Sequence, residues 1–253
     1  MVRLALALTC LPLVATALTP KELSALVAEI DDRQRNSGDW KSSVYIEQKQ
    51  KDKEDVVYDS VIYRRDATDS LIILFVGPKT ESGKGYLRID KNLWFYDPGT
   101  GKWERRTERE RIGGTDSNRA DFDESRLSEE YDAKHLGDET IGKFAVHKIE
   151  LVVKTGVDVA YPKLLLWVDT QTHNILKRQE FAASGRLMRT SYYPKWKRAF
   201  SRSKGAEVWY PEEIRVFDEL EKGNKTTVLI RKVDFDPLEP NIFTKAWLES
   251  KSG

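Results

Sequence analysis

Apolar residues first recur along the chain with the period of a helix and then, from about residue 40 onward, with the period of a strand. In "TPKELSALVAEIDDRQR", Leu23, Leu26, Val27 and Ile30 fall at i, i+3, i+4 and i+7. Thr19 as N-cap, Pro20 at the first helical position and Glu22 as the capping-box partner start the segment, and "NSGDW" ends it. The spacing predicts an amphipathic helix with a wet back. Short segments rich in β-branched and aromatic residues then take over: "SSVYIEQKQ", "EDVVYDSVIYRR", "DSLIILFV", "GYLRI" and "NLWFY", each closed by a turn signal. A second series reads "FAVHKIELVVK", "KLLLWVD", "NILKRQEFA" and "RLMRTSYY". A third joins "EEIRVFDELE" to "KTTVLIRKVDF" through "KGN", a long hairpin. Turns this short force antiparallel pairing. The expected fold is mainly β (α+β): an incomplete antiparallel barrel of about ten or eleven strands, with the N-terminal helix covering one face.

One stretch breaks the pattern. Residues 107–134, "TERERIGGTDSNRADFDESRLSEEYDAK", hold few apolar side chains beyond Ile112, Phe122, Leu127 and Tyr131. The expectation is a loop with one short helix near "ESRLSEEY", serving as a lid or binding loop or as a solvated spacer.

The N-terminus reads as an export signal. Arg3 precedes the apolar run "LALALTCLPLVATA", which ends in the small-x-small triplet Ala15-Thr16-Ala17. The run is shorter than the ~20 residues a membrane span needs, and Pro12 interrupts it. Cys10 follows Thr9 inside the run, which argues against a lipid-anchor site. The domain reading is therefore a signal peptide over 1–17 and a single exported domain over 18–253, carrying the polar insertion. Cys10 is the only cysteine, so the mature chain would have no disulfide, thiolate metal site or cysteine nucleophile. A net charge of +1 gives no argument for nucleic acid.

Candidate chemistry changes this picture little. "PGTGK" resembles a phosphate loop, but Tyr96 stands where the first glycine belongs and Trp103 where Ser or Thr belongs. "DPGTG" is a turn joining "NLWFY" to "KWERR". His135, His147 and His173 are not at metal-ligand spacing along the chain, and His147 reads as a packed strand residue. No nucleophile elbow, zincin or dinucleotide motif is present. The expectation is a protein that is not an enzyme and uses no cofactor or metal.

Aromatics are plentiful on strand positions, and a large curved sheet has more concave apolar surface than one helix can fill. An apolar pocket with few ionisable groups suits acyl chains. The expected lining is Leu71, Ile73, Phe75, Leu87, Ile89, Trp94, Tyr96 and Trp167, with Arg88 turned to water on the opposite face and Leu93 and Phe95 on the convex side. In "YYPKWKRAFSRSK", Lys195, Trp196, Lys197 and Arg198 form a basic and aromatic stretch that either docks a membrane surface or acidic partner, or is a solvated strand extension.

"FVGPKTESGKGYLRIDKNLWFYDPGTGKWERR", "DFDES", "VWYPEEIRVFDELEKGNKTTVLIRKVDFDP" and "LEPNIFTKAWLE" together resemble the LolA-like outer-membrane lipoprotein-sorting family. The nearest likeness is to its uncharacterised, transporter-associated branch, and it spans nearly the whole mature chain. The resemblance implies an incomplete barrel with a helical lid over a hydrophobic cavity. It also implies a soluble, monomeric periplasmic carrier that holds the acyl chains of a lipoprotein or another lipid. Its partners would be an inner-membrane export transporter of the ABC or RND type and an outer-membrane receptor. A lipid- or lipoprotein-sensing adaptor of the same fold is the alternative.

Overall fold

The computed structural model describes residues 17–35, 37–89, 92–106, 112–115 and 125–252. Most of the expected signal segment, with Cys10, and most of "DFDES" lie outside the described residues.

Helix α1 (Pro20–Arg35) forms where the periodicity places it. Its capping box is made: Thr19 N–H donates to Glu22 Oε2 at 2.8 Å, and Glu22 N–H returns a bond to Thr19 Oγ1 at 3.3 Å. The strands are β1 (Asp39–Lys49), β2 (Val56–Arg65), β3 (Ser70–Gly77), β4 (Gly85–Ile89), β5 (Asn92–Asp97) and β6 (Lys102–Arg106). After the short helix α2 (Leu127–Glu130) come β7 (Tyr131–Ile141), β8 (Phe144–Val153), β9 (Lys163–Asp169), β10 (Ile175–Phe181), β11 (Leu187–Ser201), β12 (Ala206–Asp218) and β13 (Lys225–Asp234). Helix α3 (Lys245–Lys251) closes the described chain.

All neighbours pair antiparallel in one 13-stranded sheet, ordered β6-β5-β4-β3-β2-β1-β13-β12-β11-β10-β9-β8-β7. Two meanders are thus joined through β1 and β13. The count exceeds the expected ten or eleven: "KWERR" forms β6 where the turn reading places it, and β7 adds an edge that begins within the segment read as an insertion. The sheet is open: β6 and β7 end it on opposite sides instead of pairing. The short helix near "ESRLSEEY" is α2, but the insertion ends earlier than expected, since Tyr131 to Lys134 already belong to β7.

Three apolar clusters organise the packing. Leu23, Leu26, Val27 and Ile30 of α1 pack on Ile149, Leu151, Leu164, Leu166 and Val168 of β8 and β9. On the inner face of the other half, Trp40, Val44, Ile62, Leu71, Ile73, Phe75, Tyr86 and Ile230 form a second cluster. The third lies on the outer face, where Ile72, Leu74 and Leu87 meet Ile242, Phe243 and Leu248 from the C-terminal segment. Thr244 caps α3 by accepting from Trp247 N–H at 3.2 Å. Strand β3 is therefore covered on both faces, which is why "SLIILF" is apolar without alternation.

Candidate functional site

Between the two inner clusters the described residues enclose a cavity of about 630 Å³. Its apolar wall comes from β1, β2, β3 and β13, through Trp40, Val44, Ile62, Leu71, Val228 and Ile230. Tyr193 and Trp196 of β11 face them, and Trp196 Nε1 donates to the Ile175 carbonyl at 3.0 Å. The C-terminal end of α1 and helix α2 border the mouth with Ile30, Arg33, Gln34, Arg126, Leu127 and Glu130. One side chain ties these two helices together. Asp31, fully buried, accepts from Leu127 N–H (2.9 Å) and Ser125 Oγ (2.6 Å) on one oxygen, and from Ser128 N–H (2.8 Å) and Oγ (2.6 Å) on the other.

The lining is apolar below and carries charges of both signs around it, with Asp69, Glu130 and Asp158 beside four arginines. Arg33, Arg64, Arg126 and Arg178 all border the cavity. Each has an acidic neighbour: Glu29 for Arg33 at 2.5 Å, Asp66 for Arg64 at 2.5 Å, Glu129 for Arg126 at 2.8 Å and Glu180 for Arg178 at 2.8 Å. Arg189 reaches the other oxygen of the buried Glu180. Burial pushes Glu29 up, but hydrogen bonds from His173 and Arg33 and their positive charge outweigh it and hold the carboxyl below its usual range. Burial also raises the Tyr131 phenol to about 12, while its hydroxyl donates to the Tyr161 carbonyl at 3.0 Å.

The residues expected to line one cavity fall on two faces. Leu71, Ile73 and Phe75 share the inner face, and Leu71 borders the cavity while the other two pack in the inner cluster. The ladder pairs Leu71 with Arg88 and Ile73 with Tyr86, then Tyr86 with Phe95 and Arg88 with Leu93. Partners across a ladder share a face, so Arg88, Leu93 and Phe95 point inward. Leu87, Ile89, Trp94 and Tyr96 point outward, toward the face that α3 covers. The expectation failed at Arg88. Instead of reaching water it is 3% exposed, and its guanidinium is held by the Asp69 carboxylate at 2.6 Å. Trp94 lies under Lys245, whose Nζ is 4.0 Å from the ring centroid, and Tyr96 stacks with Trp103 at 4.9 Å. Trp167 is outward too: it pairs with Lys148 and Lys177 and donates from Nε1 to Glu139 at 2.7 Å.

In the basic stretch, alternation separates Lys195 and Lys197 from Trp196, while Arg198 shares the face of Trp196. Lys195 and Lys197 are half exposed and both contact Glu212, and Arg198 lies 3.7 Å from Glu207. Trp196 turns inward to the cavity, so it is not part of an exposed patch with its neighbours.

The fold also joins two histidines that are far apart in the chain. His135 Nε2 and His147 Nδ1 both meet Asp138 Oδ1, at 3.0 and 2.6 Å, on the β7–β8 hairpin. These atoms lie within 4.8 Å of one another, close enough for shared metal ligation. Sequence spacing hid this because the contact is made across strands.

A family model described as "Uncharacterized protein" matches residues 66–250, well over half of the chain. Among solved structures, an outer membrane lipoprotein-sorting protein domain from Vibrio parahaemolyticus aligns with a TM-score of 0.79 at 19% identity, covering 91% of this chain and 100% of that one. A DUF1329 family protein from Desulfovibrio piger gives 0.77 at 19% identity, covering 90% and 98%. A LolA superfamily protein from Nitrosomonas europaea gives 0.71 at 21% identity, covering 89% and 98%. These likenesses show a common fold. No curated protein matches the sequence.

Proposed function

We propose that this chain, which belongs to the DUF1329-like family of uncharacterized proteins, is a lipid-binding carrier that houses acyl chains in the cavity between its two inner clusters. The observation that carries this reading is the cavity itself. Its wall of Trp40, Val44, Ile62, Leu71, Val228 and Ile230 offers no charge to satisfy, and its volume of about 630 Å³ falls within the roughly 300–1,000 Å³ of small-molecule sites. Each methylene moved from water onto such a wall gains about 0.8 kcal/mol. The arginine-lined mouth suits an anionic or carbonyl-bearing headgroup, which would stay near water while the chains enter.

The fold shared with lipoprotein-sorting proteins supports the same reading. The cargo would be the acyl chains of a lipoprotein or another lipid, moved through the periplasm between an inner-membrane transporter and the outer membrane. Helix α2, clipped to α1 by Asp31, would serve as the lid. Among the described residues, no helix is long and apolar enough to cross a membrane.

Affinity purification from the periplasm followed by lipid mass spectrometry tests the proposal. The expected result is an acyl-bearing species held near one per chain and passed to acceptor membranes on incubation. Recovery of protein with no acyl species at any loading would overturn it. Lipid that stays bound while the chain remains attached to one protein partner would instead favour an adaptor.

A further inference from the structure

The cluster at the far end of α1 from the cavity points to a second site. We propose that His135, Asp138 and His147 bind a divalent transition-metal ion of the zinc type. In a regular strand, residues three apart point to opposite faces, so His135 and Asp138 of β7 would normally diverge. A bulge between His135 and Gly137 removes this divergence: His135 pairs with Ile149, Gly137 with Lys148 and Asp138 with His147, leaving Leu136 unopposed. Gly137 takes φ +122°, a conformation that favours glycine. The consequence is that both histidines and the carboxylate converge on one point.

The donor set fits zinc and its neighbours. Two imidazoles and one carboxylate are the ligands such ions take, whereas calcium and magnesium prefer oxygen alone. Around a tetrahedral ion with bonds of about 2.0–2.2 Å, donor atoms stand roughly 3.3–3.5 Å apart. The present separations from Asp138 are 3.0 and 2.6 Å, so each histidine needs to draw away from the carboxylate by less than about one ångström, and all three donor atoms already lie within 4.8 Å of one another. The ring of His135 is 4% exposed and that of His147 14%, while the Asp138 side chain is 26% exposed. The open coordination position, which water would fill, therefore lies on the Asp138 side.

Leu18 N–H donates to His135 Nδ1 at 3.2 Å, which leaves the ring proton on Nε2, shared with Asp138. Metal at Nε2 shifts that proton to Nδ1 and breaks the Leu18 contact. At His147 the proton moves from Nδ1 to Nε2. Each imidazole stays neutral and the carboxylate supplies the negative charge.

Titration calorimetry of chelator-treated protein with zinc chloride tests the proposal, with cobalt absorption as a second measurement. The expected result is one zinc per chain and the visible bands of tetrahedral cobalt. His147→Gln and Asp138→Asn should each weaken zinc by at least about tenfold and abolish the cobalt bands. His173→Gln, which removes the histidine paired with Glu29, should change neither. Circular dichroism of metal-free protein establishes that each variant folds, and His147→Gln and Asp138→Asn report independently of one another. A wild-type protein that binds no zinc, or variants that bind it as tightly as wild type, would overturn the site.

Discussion

The two halves of the inner face carry the same kind of sequence and end in different states. On β8 and β9, Ile149, Leu151, Leu164, Leu166 and Val168 are wholly buried because α1 lies on them with Leu23, Leu26, Val27 and Ile30. On β1, β2 and β13, no helix among the described residues lies on Val44, Ile62 and Ile230 in this way; they pack in the second cluster and wall a cavity. Alternation in a strand says that one face is apolar. It does not say what covers that face. One half is filled by α1, and the other keeps a cavity beside its own buried cluster, because the amphipathic stripe of a single helix is only wide enough for one of them.

The largest effect that would sharpen this contrast is expected under α1. Leu166→Ala should cost about 2–5 kcal/mol of folding stability, because the packed site cannot collapse around the lost atoms. Chemical denaturation measures it. Next is Asp31→Ala, which leaves backbone N–H groups of Leu127 and Ser128 without their acceptor and should cost about 2–4 kcal/mol. If α2 acts as a lid, the same variant should release lipid faster than wild type. Truncation on the cavity side should behave differently. Ile62 already borders a void, so Ile62→Ala should cost about 2–3 kcal/mol of stability, the low end for a buried isoleucine, and lower lipid affinity by about 1–2 kcal/mol. Trp94→Ala, on the opposite face, should leave lipid retention unchanged. Equal loss of lipid in both would erase the distinction between the faces.

A fourth expectation concerns pH at the cavity border. The Tyr131 phenol is raised to about 12 in the folded protein, above the ordinary value of about 10, so folding favours its protonated form. Its contribution is complete below pH 10 and is lost as pH rises from about 10 to about 12. Tyr131→Phe should flatten that part of the stability profile, read by denaturation at stepped pH. The smallest effect belongs to the surface. Changing Lys195, Lys197 and Arg198 together to Glu should alter stability by less than about 1 kcal/mol. Loss of binding to anionic vesicles in that variant would support a docking role, and unchanged binding would leave the stretch a solvated strand extension.

Much of the fold was legible because local chemistry dictated it. The capping box and the spacing of Leu23, Leu26, Val27 and Ile30 specify α1, and "DPGTG" specifies the β5–β6 turn, where Gly99 N–H bonds Asp97 at 2.9 Å. What was not legible depends on long-range partners. Arg88 was expected in water because nothing near it in the chain shows that Asp69 would neutralise it. That single error turned Leu87, Trp94 and Tyr96 to the wrong face. The unbroken apolar run "SLIILF" was the available signal, since burial on both faces removes alternation, and it called for an outer cover such as α3. The cluster of His135, Asp138 and His147 needed the register of β7 on β8. A two-residue turn at Gly142 and Lys143 sets Asp138 opposite His147, but the bulge that brings in His135 has no sequence signature beyond Gly137.

The central claim is that lipid enters the inner side of the sheet, and tryptophan fluorescence can report which side it occupies. Trp40, Trp196 and Trp209 border the cavity, while Trp94, Trp103 and Trp167 lie on the outer face. Titration with a brominated fatty acid, whose bromines quench nearby indoles, should dim the wild-type protein saturably at about one chain per site. In Trp40→Phe/Trp196→Phe/Trp209→Phe most of that quenching should disappear, while Trp94→Phe/Trp167→Phe should retain it. Quenching that survives in the first variant and vanishes in the second would place the lipid on the outer face and contradict the account.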